Sequence, residues 1–245
     1  MNLSTQTRTR MTQQKTVLAD AIYERLQERI MDQVYPPRER LNIDALAIDL
    51  NVSHTPIREA LARLGAERLV TFEPFKGYRV SPLLTTAQVA DLMHVRRLIE
   101  IDAARLAAVR ILVPALIVVE RLLQRILEES TQVAVGTWSH GYRQFNQLDK
   151  QFHETIVVAA GNPFLLTAYR SLNIHIELGR FYHVFRELDQ EQTCVEHEAI
   201  VRALRAHDGE QAASAVEFHL HATEERIFRL IEKYPHPHSA NGALV

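Results

Sequence analysis

The stretch from Leu41 to Val80 reads LNIDALAIDLNVSHTPIREALARLGAERLVTFEPFKGYRV. Ile43–Leu50 carries apolar residues at helical spacing, with Leu46, Ala47 and Leu50 turned inward. Asn51 suits the turn that ends this helix, because Asn adopts a left-handed backbone at little cost. Ser53 or Thr55 can cap a third helix, and Pro56 fits its first turn, where the missing N–H is harmless. In that helix Ile57, Leu61 and Leu64 face the core, while His54, Thr55 and Arg58 fall on the opposite, exposed side. A strand–turn–strand pattern with Gly77 at its tip follows. Upstream, Val17–Asp32 places Ile22, Leu26 and Ile30 on one helical face, and Pro36-Pro37 stops that helix. This order of elements is the grammar of a winged helix-turn-helix, in which the second helix of the motif enters the DNA major groove.

Ser81-Pro82 breaks the pattern and sets the domain boundary. Beyond it the periodicity is almost wholly helical. Thr85-x-x-Gln88 is a capping-box signature opening a long amphipathic run to about Val113. Further helices are expected over Pro114–Ser130 and Trp138–Ala160. Asn162-Pro163 caps and starts another, running towards Leu188. Gln190–Ala206 and Gln211–Tyr234 complete the set, with Asp208-Gly209 as the turn between them. The expected fold class is mainly α: an N-terminal winged helix-turn-helix over 17–81 and a C-terminal all-α helical bundle over 85–234. A flexible basic arm (1–16) precedes them and a flexible tail (235–245) follows.

Composition narrows the class without deciding it. At 245 residues the chain holds one large domain or two modest ones, and 47% hydrophobic with 24% charged residues is ordinary for a protein with buried cores. The longest apolar run, Val109–Val119, is interrupted by Arg110 and Pro114, so no membrane partner is expected. The polar N-terminus lacks the apolar segment of a secretory signal, and the lone Cys194 forms no internal disulfide. Both observations point to the cytoplasm. The net charge of −2 is unevenly spread: residues 1–80 hold 12 Lys/Arg against 10 Asp/Glu, and the remainder is acidic. A mildly basic head on an acidic body permits phosphate binding by the head.

The candidate DNA-contacting residues are Ser53, His54, Thr55, Arg58, Lys76 and Gly77. Ser53 and Thr55 offer hydroxyls to phosphate beside a helix N-terminus that itself attracts anions. Arg58 stands four residues after His54, so both project to one side, and Arg can donate two hydrogen bonds to guanine. Lys76-Gly77 puts a cation and an unobstructed backbone beside a groove. The bland reading of Arg58 is a surface ion pair with Glu59 or Glu67, and Arg63 and Arg68 keep that reading.

Ala45-Leu46-Ala47, Asn51-Val52-Ser53, Thr55-Pro56-Ile57-Arg58-Glu59-Ala60-Leu61, Leu64, Leu69-Val70 and Gly77 resemble the head of a GntR-family transcription regulator. The likeness covers about Val17–Val80. It implies double-stranded operator DNA as partner, with Thr55 and Arg58 contacting it. The family often has Arg where this chain has His54, and a neutral imidazole donates fewer bonds, so the resemblance does not carry base preference over at that position.

The second domain supplies a different chemistry. Asp149 and His153 are four residues apart on one helix face and can grip one ion, while His197 and His219 come from two further helices. His221, two residues on, points elsewhere, and His94, His140, His207, His236 and His238 read as surface or packing residues. One carboxylate and three imidazoles suit a divalent metal, zinc first, with nickel, manganese or iron as alternatives.

Arg96-x-x-x-Glu100, Ala103-Ala104, Leu106-Ala107-Ala108, Asp149-x-x-Phe152-His153, Gly161-Asn162-Pro163, Glu196-His197-x-x-Ile200 and His219-Leu220 resemble the FCD ligand-binding domain of the FadR subfamily. Some members of that subfamily lack the metal and bind acyl chains. The resemblance implies that Asp149, His153, His197 and His219 hold the metal, and that Arg96 reaches the same cavity and pairs with a small carboxylic-acid effector. The competing role for Arg96 is an intrahelical pair with Glu100. Asn146, His175 and Arg180 are further candidates for the effector pocket. The reading is a homodimeric, cytoplasmic transcription regulator, a repressor as members of such families most often are; the alternative is a metal-dependent hydrolase or lyase using the Asp/His₃ site.

Overall fold

Apolar residues at helical spacing build the first element. Ile22, Leu26 and Ile30 are all buried on one face of a helix over 18–31, α1. The structure is a computed structural model and describes residues 18–133, 138–172, 180 and 190–234. The chain divides between Leu83 and Leu84 into two compact units.

In the first unit β1 (Arg40–Leu41) precedes α2 (Ile43–Asp49) and α3 (His54–Ala66), and the hairpin β2 (Val70–Glu73) and β3 (Gly77–Val80) follows. Asn42 caps α2 by accepting from the Asp44 and Ala45 N–H groups. Asn51 takes φ 53°, the left-handed turn expected between the two helices. Ile57, Ala60, Leu61 and Leu64 are fully buried beneath α3, and Leu46 and Ala47 beneath α2, whereas Leu50 is only half-buried. The sheet order is β1-β3-β2, antiparallel throughout. The two-residue β1 is too short to leave an alternation in the sequence. The expected tip also moves. Gly77 pairs with Glu73 at the base of the turn, and the Lys76 N–H bonds the Glu73 carbonyl at 3.1 Å, so Pro74, Phe75 and Lys76 form the tip.

The second unit is built from six described helices of known extent. They are α4 (Thr86–Arg110), α5 (Val113–Val133), α6 (Trp138–Ala159), α7 (Pro163–Ser171), α8 (Gln190–Arg205) and α9 (Gly209–Lys233). The capping box of Thr85 and Gln88 is formed in both directions. Ala103, Ala104, Ala107 and Ala108 are fully buried on α4, and these small side chains admit α9, its main packing partner. α5 packs on α6, and α8 lies against α5 and α9.

Two expected turns are placed differently. The helix begun at Pro163 ends at Ser171 rather than running towards Leu188: the Leu172 N–H closes a tight turn onto the Tyr169 carbonyl. Between α8 and α9 the left-handed residue is His207 (φ 53°), with the Asp208 N–H on the Ala203 carbonyl. Asp208 is then the cap of α9, accepting from the Gln211 N–H, and Gly209 opens the helix. Gly209 is small for a packing reason, since a Cβ there would lie 3.0 Å from the Arg105 carbonyl oxygen of α4. His207 Nδ1 lies 2.8 Å from the Ala108 carbonyl oxygen, a structural role as expected for it.

Candidate functional site

The DNA-reading candidates lie at the surface of the first unit. Ser53 is the N-cap of α3 in extended backbone, but its hydroxyl makes no capping bond, and Ser53, His54, Thr55 and Arg58 are exposed. The N–H groups of the first turn of α3 and the Ser53 hydroxyl therefore share one exposed end, a suitable arrangement for a phosphate. His54 Nε2 lies 3.2 Å from Asp44 Oδ1, an exposed contact. Among the described residues Arg58 has no ion pair, so the bland reading of it is not realised. Glu67, one proposed partner, instead accepts from the Tyr23 hydroxyl at 2.6 Å and ties α3 to α1. Burial, then this carboxylate, pushes the Tyr23 hydroxyl well above its ordinary pKa. Arg63 does take the structural role, pairing with Asp20 at 2.5 Å and covering the Tyr23 ring at 4.1 Å. Lys76 pairs with Glu73 at 2.9 Å on the exposed hairpin, a contact weak enough to yield to a phosphate.

The second unit gathers its histidines inside. His153 (α6), His197 (α8) and His219 (α9) each offer a ring nitrogen, and these three atoms lie within 4.8 Å of one another. All three are buried, His197 completely. Asp149, one turn before His153, brings Oδ1 to 3.4 Å from His197 Nε2 and 3.8 Å from His153 Nε2. Two outer carboxylates orient the rings. Glu100 Oε2 is 3.0 Å from His153 Nδ1, and Glu196 Oε2 is 2.8 Å from His219 Nδ1. With Nδ1 of His153 and His219 thus engaged, Nε2 of each is the nitrogen able to meet an ion, the carboxylate–histidine arrangement typical of metal sites. His197 is the test of fit. Both its ring nitrogens are buried and neither has a hydrogen-bond partner among the described residues. That is costly in an apolar interior unless something binds there, so the residues present fit a divalent ion.

Electrostatics favour the ligand form. Burial, reinforced by the neighbouring His219, pushes the His197 pKa well below its ordinary value. Burial also pushes His219 down, to about 4, against the pull of Glu196. Neutral imidazoles are the form that binds metal. Burial by itself raises the Glu196 carboxyl, but hydrogen bonds from Arg226 and then His219 hold it below the usual range. The Arg226–Glu196 pair is a fork of 2.7 and 2.9 Å, and Arg226 Nη2 also donates to the Thr223 hydroxyl.

Arg96, carried over as an effector-binding residue, is buried and donates to Glu100 through Nε at 2.6 Å and Nη2 at 3.3 Å. The competing intrahelical pair is therefore the one formed. Because Glu100 also faces His153, Arg96 is one residue removed from the histidine cluster. Burial pushes the Glu100 carboxyl up, but Arg96 and His153 outweigh it and hold the carboxyl well below the usual range. Asn146 is half-buried one turn before Asp149, and Arg180 is buried. His175 lies outside the described residues, as do the arm and the tail.

Sequence reasoning gave Glu100 and Glu196 no orienting role and did not find Arg226 or Thr223. The available signal was the spacing of His219, Thr223 and Arg226, at i, i+4 and i+7, which puts three polar groups on the buried face of α9.

This geometry meets its family in the comparisons. Residues 18–80 match the bacterial regulatory proteins of the gntR family, and residues 91–222, more than half of the chain, match the FCD domain. The chain belongs to the GntR regulators that carry an FCD domain. It is 30% identical over 198 residues to the Nta operon transcriptional regulator of Aminobacter aminovorans, covering 80% of this chain and 88% of that one. It is 26% identical over 208 residues to the HTH-type transcriptional repressor RspR of Escherichia coli K12, covering 84% and 87%. Among solved structures it resembles E. coli McbR/YncC, with a TM-score of 0.67 at 20% identity over 89% of this chain and 98% of that one. That likeness concerns the fold. This GntR regulator is a DNA-binding transcriptional regulator and not an enzyme, so the hydrolase or lyase alternative is set aside. Among the described residues no helix is long and apolar enough to cross a membrane.

Proposed function

We propose that this GntR regulator is a cytoplasmic, homodimeric repressor whose hold on operator DNA is set by a small carboxylic acid bound at a metal in the FCD domain. The observation that carries this reading is His197, completely buried beside Asp149, His153 and His219, with no hydrogen bond to either ring nitrogen among the described residues. Those four residues would hold the ion, zinc first among the candidates. A divalent ion there supplies an electrophilic anchor for a carboxylate oxygen. Glu100 and Glu196 fix the ring orientations, and the burial of the cluster strengthens every charge inside it.

Arg96 is the effector clamp in this reading. Its guanidinium now faces Glu100, and an arriving carboxylate competes for the same donors. Asn146 and Arg180 are the further residues proposed to meet the acid. At the other end of the chain Thr55 and Arg58 read the operator, with Ser53, His54, Lys76 and Gly77 placing the head on the backbone. Two heads must meet major-groove faces about 34–36 Å apart, so an acid that prefers one arrangement of the dimer shifts the population competent to bind DNA.

The test has two arms. The double variant His153→Ala with His197→Ala is expected to lose stoichiometric metal in elemental analysis, and retained metal would refute the assignment. Metal-loaded protein is then screened with small carboxylates by thermal shift, and hits are added to a gel-shift titration. A hit that stabilises by mass action and releases DNA supports the reading. Acids that stabilise the protein yet leave DNA affinity unchanged overturn the effector role.

A further inference from the structure

Two features of the wing are unfavourable for the folded head on its own. Phe75 stands at the hairpin tip at 105% relative exposure with φ 64°, a left-handed backbone that a bulky side chain adopts at a steric cost glycine would not carry. Beside it, Arg40 of β1 and Arg79 of β3 are direct cross-strand partners, so two cations share one face of the sheet. Like charges directly opposite destabilise a ladder. Arg79 donates to the Arg38 carbonyl at 3.2 Å, and the sole carboxylate between Val70 and Val80, Glu73, is engaged first by Lys76 and only then by Arg79. On the other face Phe72, 62% exposed, lies 5.0 Å from the Tyr78 ring. Departures from local preference that fold stability does not reward mark functional positions. Here they place an aromatic tip and an arginine pair on the three-stranded sheet of a DNA-binding domain.

We propose that the wing deforms DNA: Phe75 enters the minor groove as an apolar wedge against a flexible pyrimidine–purine step, while Arg40 and Arg79 meet flanking phosphates. Minor-groove binders use Phe in this way, partly unstacking a step and bending the duplex, and T-A and C-A steps yield most readily. The phosphates neutralise an arginine pair that the sheet itself, with Glu73 shared between Lys76 and Arg79, compensates only in part. The wing thereby adds a preference for deformable sequence beside the bases read by α3. The inference rests on DNA binding by the head and needs nothing from the metal site.

The test uses the full chain and a duplex that it recovers from random-sequence DNA, with 2-aminopurine replacing adenine at each T-A and C-A step in turn. Wild-type protein is expected to raise the fluorescence at one or more defined steps. Phe75→Ala is expected to abolish that rise and weaken binding about tenfold, the scale of one lost aromatic contact with a base. Phe75→Trp keeps the rise. Phe75→Gly relieves the left-handed strain and melts about 2–4 °C higher while binding as weakly as the alanine variant. Arg40→Ala and Arg79→Ala each reduce the slope of log affinity against log salt by about one. Wild-type affinity and fluorescence in Phe75→Ala overturn the proposal. So does a lower melting temperature or a changed oligomeric state with DNA binding intact, because Phe75 would then be packing on protein.

Discussion

The two units of this regulator place their polar chemistry in opposite locations. In the head Ser53, His54, Thr55, Arg58 and Lys76 are exposed, above a core made of Leu, Ile and Ala. In the body Arg96, Glu100, His153, Glu196, His197, His219 and Arg226 are all buried. A polyanion too large to enclose has to be met on an outer surface, where a contact costs little to present and is worth little until the partner arrives. A small molecule can be enclosed, and enclosure makes each charge count for more at the cost of pairing every one of them. Substitutions in the head should therefore separate binding from stability, and substitutions in the body should not.

The largest effect is expected in the body. Arg226→Ala leaves the Glu196 carboxylate, 2% exposed, with His219 but without its guanidinium, and should cost about 3–5 kcal/mol in denaturant unfolding. A loss below about 1 kcal/mol would mean that water reaches the pair and that the contrast between the units is weaker than drawn. Leu61→Ala, fully buried under α3, should cost about 2–5 kcal/mol, showing that the head is sensitive to its core while tolerant at its surface. Thr85→Ala removes half of the capping box that opens α4 and should cost about 1 kcal/mol, read as a lower melting temperature of the full chain. Arg58→Ala should change stability by less than about 0.5 kcal/mol while abolishing specific operator binding in a gel shift. A variant that binds as wild type does would remove Arg58 from the reading face.

What was legible in the sequence was local. Ile22, Leu26 and Ile30 announced a buried face because helical periodicity is written in consecutive residues. Asn51 and the Thr85–Gln88 box were readable because caps depend on one side chain and a fixed offset. The two-residue β1 was not, since its only signal is a partner nearly forty positions away. The gathering of His153, His197 and His219 was proposed from spacing and resemblance, and the three rings do lie together. The pair that supports them was missed because Glu196 and Arg226 are thirty residues apart and each reads alone as a surface charge. Arg96 shows the limit in reverse: its bond to Glu100 was visible as an i,i+4 spacing, yet spacing says nothing of burial or of the third partner, His153.

The carboxylates and arginines around the three histidines have a consequence in charge. Arg96 faces Glu100, and Arg226 faces Glu196, so each outer carboxylate meets a guanidinium, while Asp149 turns its oxygen towards the rings of His153 and His197. Each outer carboxylate can therefore orient an imidazole without adding net charge to the nest, so ring orientation and the charge of the nest are set by different side chains.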